Sequence, residues 1–188
     1  MWNEEEIKAY VKDRLSEKRF NHVLGVCDTA VKMAECYGGS KKDANLAALL
    51  HDIAKKMSDE ELIKLVSSKG YKLNSVEKNS PQLLHALAGA IIGRDEIGID
   101  NEDVLNSVRY HTTGRENMSL LEKIIYISDY IEPSRNFPGV DELRKLSFEN
   151  IDKALLLALE NSIKYVIKKG ELLHIDTIKA RNFLIIEG

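Results

Sequence analysis

Apolar positions recur along the chain at three- and four-residue spacings, and Leu46 to Met57, LAALLHDIAKKM, shows the pattern most compactly. Leu46, Leu49, Leu50, Ile53 and Met57 fall on one face of an amphipathic helix, and Ala47, Ala48 and Ala54 surround His51 with small side chains. Ser58-Asp-Glu-Glu61 and Ser119-Leu-Leu-Glu122 fit the capping box, in which hydroxyl and glutamate reciprocally satisfy free amides. Helices are therefore expected to begin near residues 59 and 120. Ser80-Pro81 reads as a cap followed by proline in the first turn, Asp100 as the cap of a segment running to about His111, and Gly170 as the end of the periodic stretch after Asn150. Runs such as Ile124-Ile125-Tyr126-Ile127 lie inside longer helical periods, so few strands are expected. The predicted fold is all-α, with Glu132 to Val140, which holds Pro133 and Pro138, as its one long irregular segment.

The 188 residues suit one well-cored domain spanning 1–188, with no repeat, linker or low-complexity tract. A net charge of -3 gives no bulk attraction to nucleic acid or anionic membrane, so a polyanionic substrate needs a local cationic pocket. Cys27 and Cys36 are too far apart for a CxxC motif and too few for a disulfide framework, which predicts buried free thiols in a reducing compartment. The acidic start MWNEEEIKAY lacks an apolar signal core, and no apolar run approaches the ~18 residues of a membrane span, so a cytoplasmic location is expected.

Adjacent helical residues point about 100° apart, so His51 and Asp52 do not pair, yet both can approach one cation above the helix. Further ligands must then come from elsewhere. His22 in RFNHVLGV, His85 in SPQLLHALAGA, His111 in RYHTTG and Asp129 in YISDYIEPSR lie on different predicted helices or at their ends. Asp129 follows Leu121 and Ile125 on one face, where an unpaired inward carboxylate would cost several kcal/mol and a metal removes the objection. A single histidine on an apolar face is more often a hydrogen-bonded core residue. Four histidines and two aspartates together change that reading.

Their order, H…HD…H…H…D, resembles the HD-domain superfamily of metal-dependent phosphohydrolases. The flanks ALLHDIAK, QLLHALAGA, RYHTTGR and YISDYIEPSR are similar to the bacterial YqeK family, HD-domain hydrolases that split diadenosine tetraphosphate symmetrically into two ADP. The likeness runs from about Arg19 to Arg135, with a weaker match in HIDTIKARN. It implies a helical bundle with the metal site between helices, His22, His51, Asp52 and Asp129 as primary ligands, and iron as the metal, although manganese or zinc suit the same nitrogen and oxygen donors. His85 and His111 then either hold a second ion bridged by Asp52 or contact phosphate directly.

Cations for phosphate are available nearby. Lys55 projects between His51 and Asp52 on the helical wheel, and Arg135 follows Pro133 in the irregular segment, where a guanidinium can meet phosphate with bidentate geometry. Arg19, one turn before His22, and Thr112, beside His111, are candidates of the same type. His174 precedes a candidate Asp176 cap and, by the resemblance, lies in a C-terminal segment, 171–188, near the nucleotide. The expected catalytic residues are Asp52, Lys55 and Asp129. The expected nucleotide contacts are Arg19, His22, Lys55, His85, His111, Thr112, Asp129, Arg135 and His174.

The expected reaction is metal-assisted phosphoanhydride hydrolysis of diadenosine tetraphosphate. Two alternatives are a broader nucleotide phosphatase and a nucleotide-binding regulator without catalysis. The expected partner is a small-molecule dinucleoside polyphosphate or nucleotide, with a homodimer as the assembly considered and neither nucleic acid nor membrane.

Overall fold

A computed structural model describes residues 2–187. Eleven α-helices follow one another: α1 (Glu4–Arg14), α2 (Glu17–Tyr37), α3 (Lys41–Leu50), α4 (Asp59–Ser68), α5 (Ser75–Asn79), α6 (Leu84–Ile92), α7 (Glu102–Tyr110), α8 (Leu120–Ile131), α9 (Val140–Glu149), α10 (Ile151–Lys169) and α11 (Ile175–Glu187). No strand occurs among the described residues, and the fold is the expected all-α bundle. Among the described residues no helix is long and apolar enough to cross a membrane.

Both expected capping boxes are formed, Ser58 with Glu61 opening α4 and Ser119 with Glu122 opening α8. Gly170 closes α10 in the left-handed conformation that its missing Cβ makes accessible. Residues 132 to 139 are non-helical and join α8 to α9.

Several local readings are corrected. Helix α3 stops at Leu50 instead of running to Met57, because the His51 ring takes the carbonyl of Ala48 at 2.7 Å in place of the next amide. The chain continues as tight turns, with Ile53, Lys55 and Met57 amides bonding carbonyls three residues back. Ala47, Ala48 and Ala54 are fully buried, whereas Leu46 and Met57 are only half-buried. Ser80 makes no side-chain cap, and Pro81 opens a single 3-10 turn that leads into α6. Asn101, not Asp100, caps α7, because its carboxamide oxygen accepts from the amides of Asp103 and Val104. Asp176 lies inside the first turn of α11, and its amide donates to the ring of His174. Cys27 is buried but Cys36 is exposed.

The centre of the bundle is built where α2, α3, α7 and α8 pack on one another and α6 lies on α7. Val23, Val26, Ala30 and Met33 of α2 meet a core that includes Ala44, Ala47 and Ala48 of α3 and Ile124, Ile125 and Ile127 of α8. The alanines of α3 bring it close to α2, so ligand-type side chains at their ends share one small volume. Helix α10 supports α8 and carries α9 and α11 on its flanks.

Candidate metal centre

Four imidazoles and two carboxylates from five elements converge. His22 comes from α2, His51 and Asp52 from the turn after α3, His85 from the first turn of α6, His111 from the end of α7 and Asp129 from the last turn of α8. They form two groups with mutually close ligand atoms, His22–His51–Asp129 and Asp52–His85–His111. Asp52 faces both. Its Oδ1 lies 3.3 Å from His85 Nε2 and 3.8 Å from His111 Nε2, while its Oδ2 lies 3.5 Å from His51 Nε2 and 3.8 Å from His22 Nε2.

All four histidines turn Nε2 inward because Nδ1 is engaged behind them. Nδ1 of His51, His85 and His111 donates to the carbonyls of Ala48, Gln82 and Val108, each three residues earlier, at 2.6 to 2.7 Å. His22 Nδ1 donates instead to Glu132 Oε1 at 3.0 Å. The tautomers follow from these partners: each Nε2 presents a lone pair.

Those lone pairs meet other lone pairs. His85 Nε2 and His111 Nε2 are 3.1 Å apart, and His22 Nε2 is 3.0 Å from Asp129 Oδ1. The buried Nε2 atoms of His22 and His51 have no hydrogen-bond partner among the described residues. Such an arrangement is repulsive without a cation between the donors. Two ligands bound to one ion at ~2.1 Å each stand about 3 Å apart when they subtend roughly a right angle, so the spacing fits a divalent transition metal.

The carboxylates and rings act on one another: burial opposes charge on His51, but Asp52 and Asp129 outweigh it and raise its pKa. Burial opposes ionisation of Asp52, but the imidazoles of His51, His85 and His111 more than offset it, and the carboxyl is held far below the usual carboxylate range. Asp129 behaves alike, with His22, His51, His111 and Arg135 outweighing its burial. Burial, reinforced by His85 and His51, pushes His111 down to about 3, so its ring is neutral at physiological pH, as a metal ligand must be.

The cationic residues form a rim. Arg19 Nη1 lies 3.0 Å from Asp52 Oδ2. Arg135 holds Asp129 twice, through Nη2 to Oδ1 at 2.6 Å and through Nε to the backbone carbonyl at 2.9 Å. Lys55 Nζ lies 3.1 Å from His85 Nε2 and 3.9 Å from Asp52 Oδ1, and burial lowers its pKa against the pull of Asp52 and Asp129. Thr112 Oγ1 is 3.1 Å from His111 Nε2. A cleft of about 530 Å³, lined by Lys18, Arg19, His22, Ser134, Arg135 and Phe137 among others, opens beside His22.

His174 stands apart from this constellation. It has no hydrogen bond or ion pair to the other candidates among the described residues, and it borders a cavity of about 50 Å³ together with Glu77, Arg109, Tyr110 and Thr113. Arg115, in the RYHTTGR stretch, is also turned elsewhere and forms a bidentate pair with the buried Glu122 at 2.6 and 2.8 Å.

Pattern reading missed Glu132 and Arg144. Glu132 sits beside Pro133 in the irregular segment, where an acid normally faces solvent, yet it is buried. Arg144 of α9 donates to the carbonyls of Ile131, Glu132 and Arg135 at 2.8 to 3.0 Å and so staples that segment. One available signal was Gly25, a glycine well inside a helix.

Residues 19–134 match the family model of the HD domain. The chain is 42% identical to the symmetrical bis(5'-nucleosyl)-tetraphosphatase of Bacillus subtilis (strain 168), over 97% of its own length and 98% of the relative's. It is 37% identical to the protein of the same name from Staphylococcus aureus (strain NCTC 8325 / PS 47), over 96% and 94%. A crystal structure from Clostridium acetobutylicum, described as a predicted HD superfamily hydrolase involved in NAD metabolism, superposes with a TM-score of 0.98 at 52% identity, covering both chains completely.

Proposed function

The chain belongs to the HD-domain family, and from that premise we propose that it is a metal-dependent hydrolase cutting diadenosine tetraphosphate symmetrically into two ADP. The observation that carries the metal-dependent chemistry is the opposed Nε2 pair of His85 and His111 beside a carboxylate that faces both groups of ligand atoms. The names of the near full-length relatives carry the substrate.

In this reading His22, His51 and Asp129 would hold one ion and Asp52, His85 and His111 a second. The mixed nitrogen and oxygen donor set suits iron, manganese or zinc, and iron is the metal proposed from the family resemblance. Divalent metal there supplies Lewis acidity, which makes water nucleophilic near neutral pH and neutralises charge on phosphoryl oxygens.

The remaining work falls to the chain. Arg19, Lys55 and Arg135 bind the tetraphosphate and hold its central phosphorus in line with the attacking water. All three now rest on or beside carboxylates, so substrate phosphate exchanges one anion for another without leaving a cation bare. Asp129 stays ionised, and its Oδ2, which accepts no hydrogen bond among the described residues, would orient the attacking water, whose proton passes to solvent. The leaving ADP departs with the bridging oxygen. Thr112 supports the His111 side. His174 reaches the nucleoside only if the substrate extends past the 110–113 turn. A reduced cytoplasm, where free thiols persist, is the matching location.

Product identification tests the proposal. Anaerobically purified protein, analysed for metal and then incubated with diadenosine tetraphosphate, AMP or NAD⁺, is expected to convert only the first, to ADP. Inorganic phosphate from AMP would support a general nucleotide phosphatase. Metal-free binding without turnover would support the regulator.

A further inference from the structure

We propose that Glu132 is the positioning residue that aims His22 at the metal, and that α2 carries a glycine at position 25 to admit its carboxylate. The inference rests on the metal-centre reading above but concerns residues outside the ligand set.

His22 has a problem that the other three histidines do not. His51 and His111 close their helices and His85 follows a 3-10 turn, so each finds a carbonyl three residues earlier that its own backbone leaves accessible. His22 lies within the 21-residue α2, where carbonyls are consumed by the helix itself. Its Nδ1–H needs an acceptor from another element.

Glu132 supplies it. The residue is 2% exposed and accepts from His22 Nδ1 at 3.0 Å through Oε1, and from the Ser134 amide at 2.7 Å through Oε2, with the Ser134 hydroxyl as a further donor. The acceptor is therefore a fixed carboxylate. An imidazole donating to a carboxylate is locked in tautomer and ring angle, and its far nitrogen becomes a stronger ligand.

Gly25 is the independent observation. Glycine inside a helix is unfavourable relative to alanine, and this one lies at no turn. A Cβ built there would stand 2.7 Å from Glu132 Oε2 and 3.6 Å from the Pro133 ring. The helix is pared down where the acid lies against it, one turn after His22.

The test reads metal affinity, not turnover. Chelator-stripped protein is titrated with Zn²⁺ against a competing chromophoric chelator, and thermal unfolding confirms that each variant is folded. Wild type is expected to take up two equivalents. Glu132→Gln, which preserves shape, should weaken one equivalent by about 10- to 100-fold and leave the other unchanged. Gly25→Ala should weaken the same equivalent even though alanine favours the helix, and Glu132→Gln should add no further loss to His22→Ala. If wild type binds two ions and both variants bind them equally well, the proposal is overturned. Equal weakening of both sites would also overturn it, because that marks a general structural role. No zinc uptake by wild type would instead sink the metal-centre reading itself.

Discussion

His85 and His111 point their Nε2 atoms at each other across 3.1 Å, and each ring has already committed Nδ1 to a backbone carbonyl, Gln82 for one and Val108 for the other. In the neutral rings neither nitrogen can donate to its neighbour while those bonds last. The proposed function places a cation between them. His111→Ala should therefore lower bound metal from two equivalents to one, read by elemental analysis of anaerobically prepared protein. Retention of two equivalents would remove these histidines from the ligand set.

Arg135 spans the two ends of its task, gripping Asp129 through side chain and backbone while remaining about a third exposed beside the cleft. Arg135→Ala should keep its metal and lose on the order of 10²- to 10³-fold in kcat/KM for diadenosine tetraphosphate. Arg135→Lys should recover only part, because an ammonium cannot reproduce the paired contacts of a planar fork. Steady-state kinetics with matched metal content checks both.

Arg144 touches no candidate ligand, yet three carbonyls of the segment bearing Glu132 and Arg135 depend on it. Arg144→Ala is expected to cost about 1–3 kcal/mol of stability and to raise KM more than it lowers kcat, since loosening the segment misplaces Arg135. Urea unfolding and a KM-against-kcat comparison measure the two effects separately.

Arg115 and Glu122 make the opposite case. Their bidentate pair makes no hydrogen bond to the ligand cluster among the described residues, and Glu122 is buried. Arg115→Ala should cost ~3 kcal/mol by leaving that carboxylate without its cation, while metal content stays that of wild type. Unfolding curves alongside metal analysis separate a structural arginine from a functional one.

The two thiols should differ in reactivity. Cys27 is buried, and burial pushes its pKa up to about 12, while Cys36 is exposed. A thiol reagent should label one cysteine per native chain and two in denaturant. Two labels in the native state would contradict the packing of α2.

What could be read from sequence was local chemistry with a local cause. Ser58 with Glu61 and Ser119 with Glu122 close their hydrogen bonds within four residues, so both helix starts were visible. The histidine and aspartate order was visible because few other patterns require it. The break at His51 was hidden because helical periodicity continues through residues that no longer form an α-helix, and the cause is a ring-to-carbonyl bond that leaves no trace in hydropathy. Asn101 displaced Asp100 as a cap because both are good caps and only backbone geometry chooses between them. Glu132 was hidden for a different reason: its partner His22 lies 110 residues away in sequence, and only Gly25 hinted that something approaches α2 there.

The central claim is attack by water on a central phosphorus with ADP as the leaving group, and isotope placement tests it most directly. Hydrolysis of diadenosine tetraphosphate in oxygen-18 water should yield ADP alone, with one heavy oxygen on the terminal phosphate of one ADP per turnover and none on the other. AMP and ATP as the first products, or labelled inorganic phosphate, would contradict the account.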